Sequence, residues 1–91
     1  MDDLWVERDQ ILEVLKHTEM ALRKRILLDE RAEFAGTLDD KGKRRLLKCK
    51  KNLIKCKAFQ VLASGSSLST TMAAEIILWY QAVWSKRYLK P

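Results

Sequence analysis

The chain has 91 residues, a formal net charge of +6, 47% hydrophobic residues and three tryptophans, Trp5, Trp79 and Trp84. That length holds one domain with a modest core, and its apolar content exceeds what disordered chains carry. Three glycines and one proline, Pro91, leave little to punctuate a many-stranded sheet. The expected fold class is therefore all-α: a three-helix bundle, or a long helical hairpin with a third packed helix, in a single domain over residues 1–91.

The first helix is expected over about residues 3–35. Leu4, Ile11, Leu15, Leu22 and Ile26 recur at steps of seven, four, seven and four, close to the helical period. Asp2 or Asp3 is placed to cap its start. So long a helix is expected to protrude, to pair with another chain, or to bend near Lys24–Leu28. The eleven-residue spacing of Leu4, Leu15 and Ile26 argues against a strict heptad seam.

Gly36 ends this helix as a C′ residue, and Asp39 or Asp40 caps the next, expected over about 40–63. Leu46, Leu47, Leu53, Ile54, Ala58, Val61 and Leu62 are assigned to its buried face, and Cys49 and Cys56 to the far side. Arg44, Lys48, Lys51 and Lys55 form a ridge beside that face, flanked by Lys41 and Arg45. A loop rich in serine and threonine then leads to a third helix over about 70–88, with Glu75 in its first turn. Met72, Ile76, Trp79 and Val83 make its main stripe, with Ile77, Leu78, Tyr80 and Trp84 around it.

Charge divides the chain. Residues 1–40 hold eleven acidic and six basic side chains, whereas residues 41–91 hold twelve basic side chains and Glu75 alone as an acid. Nine positive charges and no negative one lie between Lys41 and Lys57. Such a density repels itself unless an acidic neighbour or an anionic partner compensates it.

Cys49 and Cys56, seven residues apart, would stand about 10 Å apart along a continuous helix, too far for a disulfide. Free thiols, with no N-terminal apolar segment of secretory type, fit an intracellular setting, cytoplasmic or nuclear. The longest mostly apolar stretch, 72–84, contains Glu75 and Gln81 and is too short to span a bilayer. No catalytic constellation is visible: His17 is the only histidine, Ser66 and Ser67 read as loop and capping residues, and no glycine-rich phosphate loop occurs. Cys49, Cys56 and His17 lack zinc-site spacing, so neither metal nor cofactor is expected.

The leading expectation is a non-enzymatic nucleic-acid-binding protein that contacts the phosphate backbone of DNA or RNA through Lys41, Arg44, Arg45, Lys48, Lys51 and Lys55. Lys86, Arg87 and Lys90 would assist. Lysine outnumbers arginine seven to two in the 41–57 stretch, which favours backbone contact over base reading. The alternative is a helical protein–protein adaptor or regulator, possibly inhibitory, presenting Trp5, Trp79 or Trp84 to a partner, or a homo-oligomer joined through the first helix. The basic segment also has the composition of a helix that docks in an acidic groove or lies on an anionic membrane, but both uses require Leu46, Leu53 and Ile54, which the core claims.

Overall fold

The computed structural model describes residues 8–65 and 68–89. These form helix α1 (Arg8–Phe34), helix α2 (Asp40–Ser64), helix α3 (Thr70–Trp84) and a short 3-10 turn (Arg87–Leu89). The fold is all-α. Helices α1 and α2 share the most extensive interface, making an elongated hairpin on which α3 packs, with extents of 50 × 21 × 19 Å.

Local chemistry sets the boundaries. Gly36 takes a left-handed φ of 77°, and the Thr37 amide reaches back to the Ala32 carbonyl at 2.8 Å, closing the end of α1. Asp39 caps α2 by accepting from the Gly42 amide at 2.8 Å, and Ser69 caps α3 by accepting from the Met72 amide at 3.1 Å. Helix α1 runs unbroken through Lys24–Leu28. Helix α3 stops at Trp84 instead of reaching Tyr88, and Glu75 falls beyond its first turn. The expected caps Asp2 and Asp3 lie outside the described residues.

Helix α1 buries Ile11, Leu15, Thr18, Leu22, Ile26 and Asp29. Helix α2 meets it with Gly42, Leu46, Cys49, Cys56, Phe59 and Ala63. Gly42, Cys49, Cys56 and Ala63 are each seven residues apart, as are Leu15, Leu22 and Asp29. A heptad seam therefore joins the helices, contrary to the reading from Leu4, Leu15 and Ile26. The polar members Thr18 and Asp29 hid it from a search for apolar residues.

The face of α2 is a second correction. Leu47, Ile54 and Val61 are 60%, 72% and 73% exposed, and Ala58 and Leu62 are exposed too, whereas Cys49 and Cys56 are fully buried. Small side chains let the two backbones approach, so the bulky Leu15 and Leu22 fill the space between them at native density. The closeness is visible in the Cys56 thiol, which donates to the Leu15 carbonyl oxygen at 3.2 Å. Polar complementarity selects the same side. Arg45, Asn52 and Gln60 find partners there in Asp29, Trp79 and Glu19. Rotating α2 to bury Leu47, Ile54 and Val61 would part Arg45, Asn52 and Gln60 from these partners and leave Asp29 without its fork.

Two indoles hold α3 against the hairpin. Trp79 donates Nε1–H to Asn52 Oδ1 of α2 at 3.1 Å and packs edge-on against Phe59. Trp84 donates to Thr18 Oγ1 of α1 at 2.8 Å, while His17 stacks on its ring with centroids 5.6 Å apart. Ala73, Ile76 and Val83 complete the core from α3, and Leu89 adds to it from the turn. No helix among the described residues is long and apolar enough to cross a membrane.

Candidate nucleic-acid interface

The first turns of α2 place Lys41, Arg44, Arg45 and Lys48 on one side, because residues three and four apart share a helical face. The 3-10 turn brings Arg87 and Tyr88 to that side, and α1 contributes Arg25. Together these residues line an open basin of about 650 Å³. The Tyr88 ring anchors the turn, its hydroxyl beside the buried Cys49 thiol, and burial pushes both groups above their ordinary pKa values.

Beneath the basin lies Asp29, only 1% exposed. Arg45 grips it with two charge-assisted hydrogen bonds, Nε to Oδ2 and Nη2 to Oδ1, both 2.8 Å long. Arg25 adds a contact of 3.2 Å to Oδ1. The Arg45 hydrogen bonds hold the Asp29 carboxyl below its ordinary pKa against the opposing effect of burial, and the Arg25 charge adds to the lowering. Six cations line the basin, and two of them, Arg25 and Arg45, share the Asp29 carboxylate beneath it, which leaves the basin positive.

The acidic first helix neutralises the basic second helix only in part. Glu30 pairs with Lys50 at 3.2 Å, and Glu19 lies 3.7 Å from Lys57. Glu19 also accepts from Gln60 and Arg23, and the Gln60 hydrogen bond leads in lowering its pKa. Lys41, Arg44, Lys48, Lys51 and Lys55 make no ion pair with described residues. All five are exposed.

Of the residues expected to contact phosphate, the structure gathers Lys41, Arg44, Arg45, Lys48 and Arg87 around one basin. Lys51 and Lys55 continue along exposed α2 beyond it, the Lys55 amine standing 5.9 Å from the Phe59 ring centroid. Lys86 is exposed but does not line the basin, and Lys90 lies outside the described residues. Arg25 was missed. Its sequence signal was the Arg25–Asp29 spacing of four on α1, which reads as an ordinary surface pair until α2 is docked. The basin holds four arginines and two lysines, the reverse of the lysine-rich stretch from which most of it comes.

Trp79 and Trp84 do not form a common exposed patch. Both are half-buried, and their indole N–H groups are engaged by Asn52 and Thr18. Trp5 lies outside the described residues. A second groove, of about 430 Å³, shares Arg25 and Tyr88 with the basin and continues past Trp84 and His17. Compared with protein-family models, with curated proteins and with solved structures, the chain matches none.

Proposed function

We propose that this protein binds nucleic acid without catalysis, holding the phosphate backbone in the basin formed by α2, the 3-10 turn and α1. The convergence of Lys41, Arg44, Lys48 and Arg87 over the Arg45–Asp29–Arg25 cluster carries this reading. Phosphates displace counterions from such a surface, so affinity comes from charge and not from sequence. Arg44 and Arg87 make no ion pair with described residues and can offer bidentate forks to phosphate oxygens. Lys51 and Lys55 extend the track along α2, and the adjoining groove gives a strand a path beyond one phosphate. Two free thiols fit an intracellular setting.

Fluorescence anisotropy with labelled single- and double-stranded DNA and RNA, across a salt series, tests the proposal. Binding should weaken steeply with salt, and Arg44→Glu/Lys48→Glu should abolish most of it. An absence of binding at low salt, or a double variant that binds as well as wild type, ends the reading.

A second reading, a helical adaptor or homo-oligomer joined through α1, rests on Met20, Leu27 and Phe34. These stand seven residues apart and exposed on α1. An assembly through this row would be nearly indifferent to salt. Light-scattering mass at two concentrations, with and without Leu27→Lys, separates it from the first.

A further inference from the structure

The outward face of α2 carries an apolar row that the core does not use. At about 100° per residue, Leu47, Ile54, Ala58 and Val61 fall within roughly 60° of arc. Lys43, Lys50 and Lys57 border this arc on one side, and Arg44, Lys51 and Lys55 border it on the other. No acidic residue occurs between Lys41 and Ser64. The three large side chains of the row are each at least 60% exposed.

From this face we infer a second binding surface: α2 docks its Leu47–Ile54–Val61 row onto an anionic lipid bilayer, with the bordering lysines at the headgroups. Against such a use stood the expectation that the core claims Leu46, Leu53 and Ile54. The structure keeps Leu46 buried and Leu53 packed on the core but leaves Ile54 outside with Leu47 and Val61, because Gly42, Cys49, Cys56 and Ala63 take the seam. Apolar row and core are now separate sets of residues.

Charge complementarity selects the occupant. Six cations border the row against one carboxylate, Asp40 seven residues before Leu47, so an anionic partner fits it. A second copy of this chain supplies no matching face. Its exposed row on α1, Met20–Leu27–Phe34, is bordered by Lys16, Arg23, Lys24 and Arg31 against the two acids Glu13 and Glu30, so cations predominate there and oppose α2. Glu19 and Glu30 are already paired within the molecule, and α3 carries only Glu75.

Shape then favours lipid over an acidic helix. Leu47, Ile54 and Val61 project 60%, 72% and 73% exposed from the outer side of α2, so they form a ridge. Helical ligands dock into grooves lined on two sides, whereas a bilayer receives a ridge without requiring register. The flexible stems of the lysines let the apolar row sink while the amines stay among headgroups.

Co-sedimentation of the full chain with vesicles of phosphatidylcholine plus phosphatidylserine, against phosphatidylcholine alone, tests this inference. Binding is expected to the anionic vesicles only. Ile54→Ser/Val61→Ser should lower it about tenfold or more, since two largely exposed apolar side chains no longer enter the apolar layer. Both positions are at the surface, and an unchanged far-ultraviolet circular dichroism spectrum confirms that the variant folds. As a gain-of-signal check, Ile54→Trp should shift its emission to the blue on adding anionic vesicles.

No binding to anionic vesicles overturns the inference. Equal binding by wild type and the double variant also overturns it, because charge alone then accounts for the association. So does a concentration-dependent increase in mass that the double variant abolishes without any vesicle binding, which would assign the face to a second copy. Nucleic-acid binding is lost through Arg44→Glu/Lys48→Glu and should be unaffected by Ile54→Ser/Val61→Ser. The two proposals therefore fail separately.

Discussion

Arg45 of α2 closes a two-point fork on Asp29 of α1, bridging sixteen residues of sequence with two hydrogen bonds of 2.8 Å. This pair fixes the register of the hairpin near its loop and forms the floor of the basin. Arg45 is thus a structural member of the basin, whereas Arg44, one residue earlier, is exposed and makes no ion pair with described residues.

Asp29→Asn should destabilise the protein by about 1–3 kcal/mol, because two arginines lose their carboxylate while remaining partly solvated. Urea unfolding by circular dichroism measures this directly. The pH dependence has a definite sign. The folded pKa of Asp29 lies below its ordinary value of 3.8, so the unfolded chain binds the proton more tightly. Its stabilisation is complete above that ordinary value and is lost as pH falls through the lower folded value. Asp29→Asn should remove that part of the acid sensitivity and leave the part due to Glu19, whose pKa is also lowered.

Arg44→Ala and Arg45→Ala should separate binding from stability. Arg44→Ala is expected to leave the unfolding midpoint unchanged while reducing the salt slope of nucleic-acid binding by about one unit. Arg45→Ala is expected to lower stability by roughly 1–3 kcal/mol, since Asp29 is left buried with Arg25 alone. Denaturation curves and anisotropy on the same samples distinguish the two.

Cys56 is fully buried with its thiol on the Leu15 carbonyl of α1, so enlarging it should be costly. Cys56→Leu is expected to destabilise by about 1–3 kcal/mol through overpacking against Leu15. The thiols themselves should be inert in the folded protein, because burial raises the pKa of Cys49 and of Cys56. Reaction with a colourless aromatic disulfide reagent should be slow in buffer and complete in urea. Rapid labelling without denaturant would contradict the packing.

Gly42 is held small by a neighbour across the cap. A Cβ there would collide with Leu38 Cδ1 and press on Asp39 Oδ1. Replacing a helical glycine by alanine ordinarily gains about 0.5–1 kcal/mol. Gly42→Ala should forfeit that gain in the wild type and recover much of it in a Leu38→Ala background. A double-mutant cycle by urea denaturation would show positive coupling.

Much of the backbone was legible in one dimension. Gly36, Asp39 and Ser69 act through bonds to residues three to five positions away, so their turn and cap chemistry marks the helix boundaries. The apolar stripe of α1, from Ile11 to Ile26, is longer and denser than the exposed row Met20–Leu27–Phe34. The basic character of α2 was equally plain, and with it the residues Lys41, Arg44, Arg45, Lys48 and Arg87 that line the basin.

What tertiary structure alone decided was the rotation of α2 and, with it, the use of every side chain on that helix. Two stripes competed there, Leu47–Ile54–Val61 and Gly42–Cys49–Cys56–Ala63, and hydrophobicity favours the first. Burial followed the second because small residues admit the bulk of Leu15 and Leu22, and because Arg45, Asn52 and Gln60 on that side find Asp29, Trp79 and Glu19. These partners lie 16 to 41 residues apart. Local periodicity registers how apolar a face is. Which face is buried depends on the shape and charge of the helix it meets.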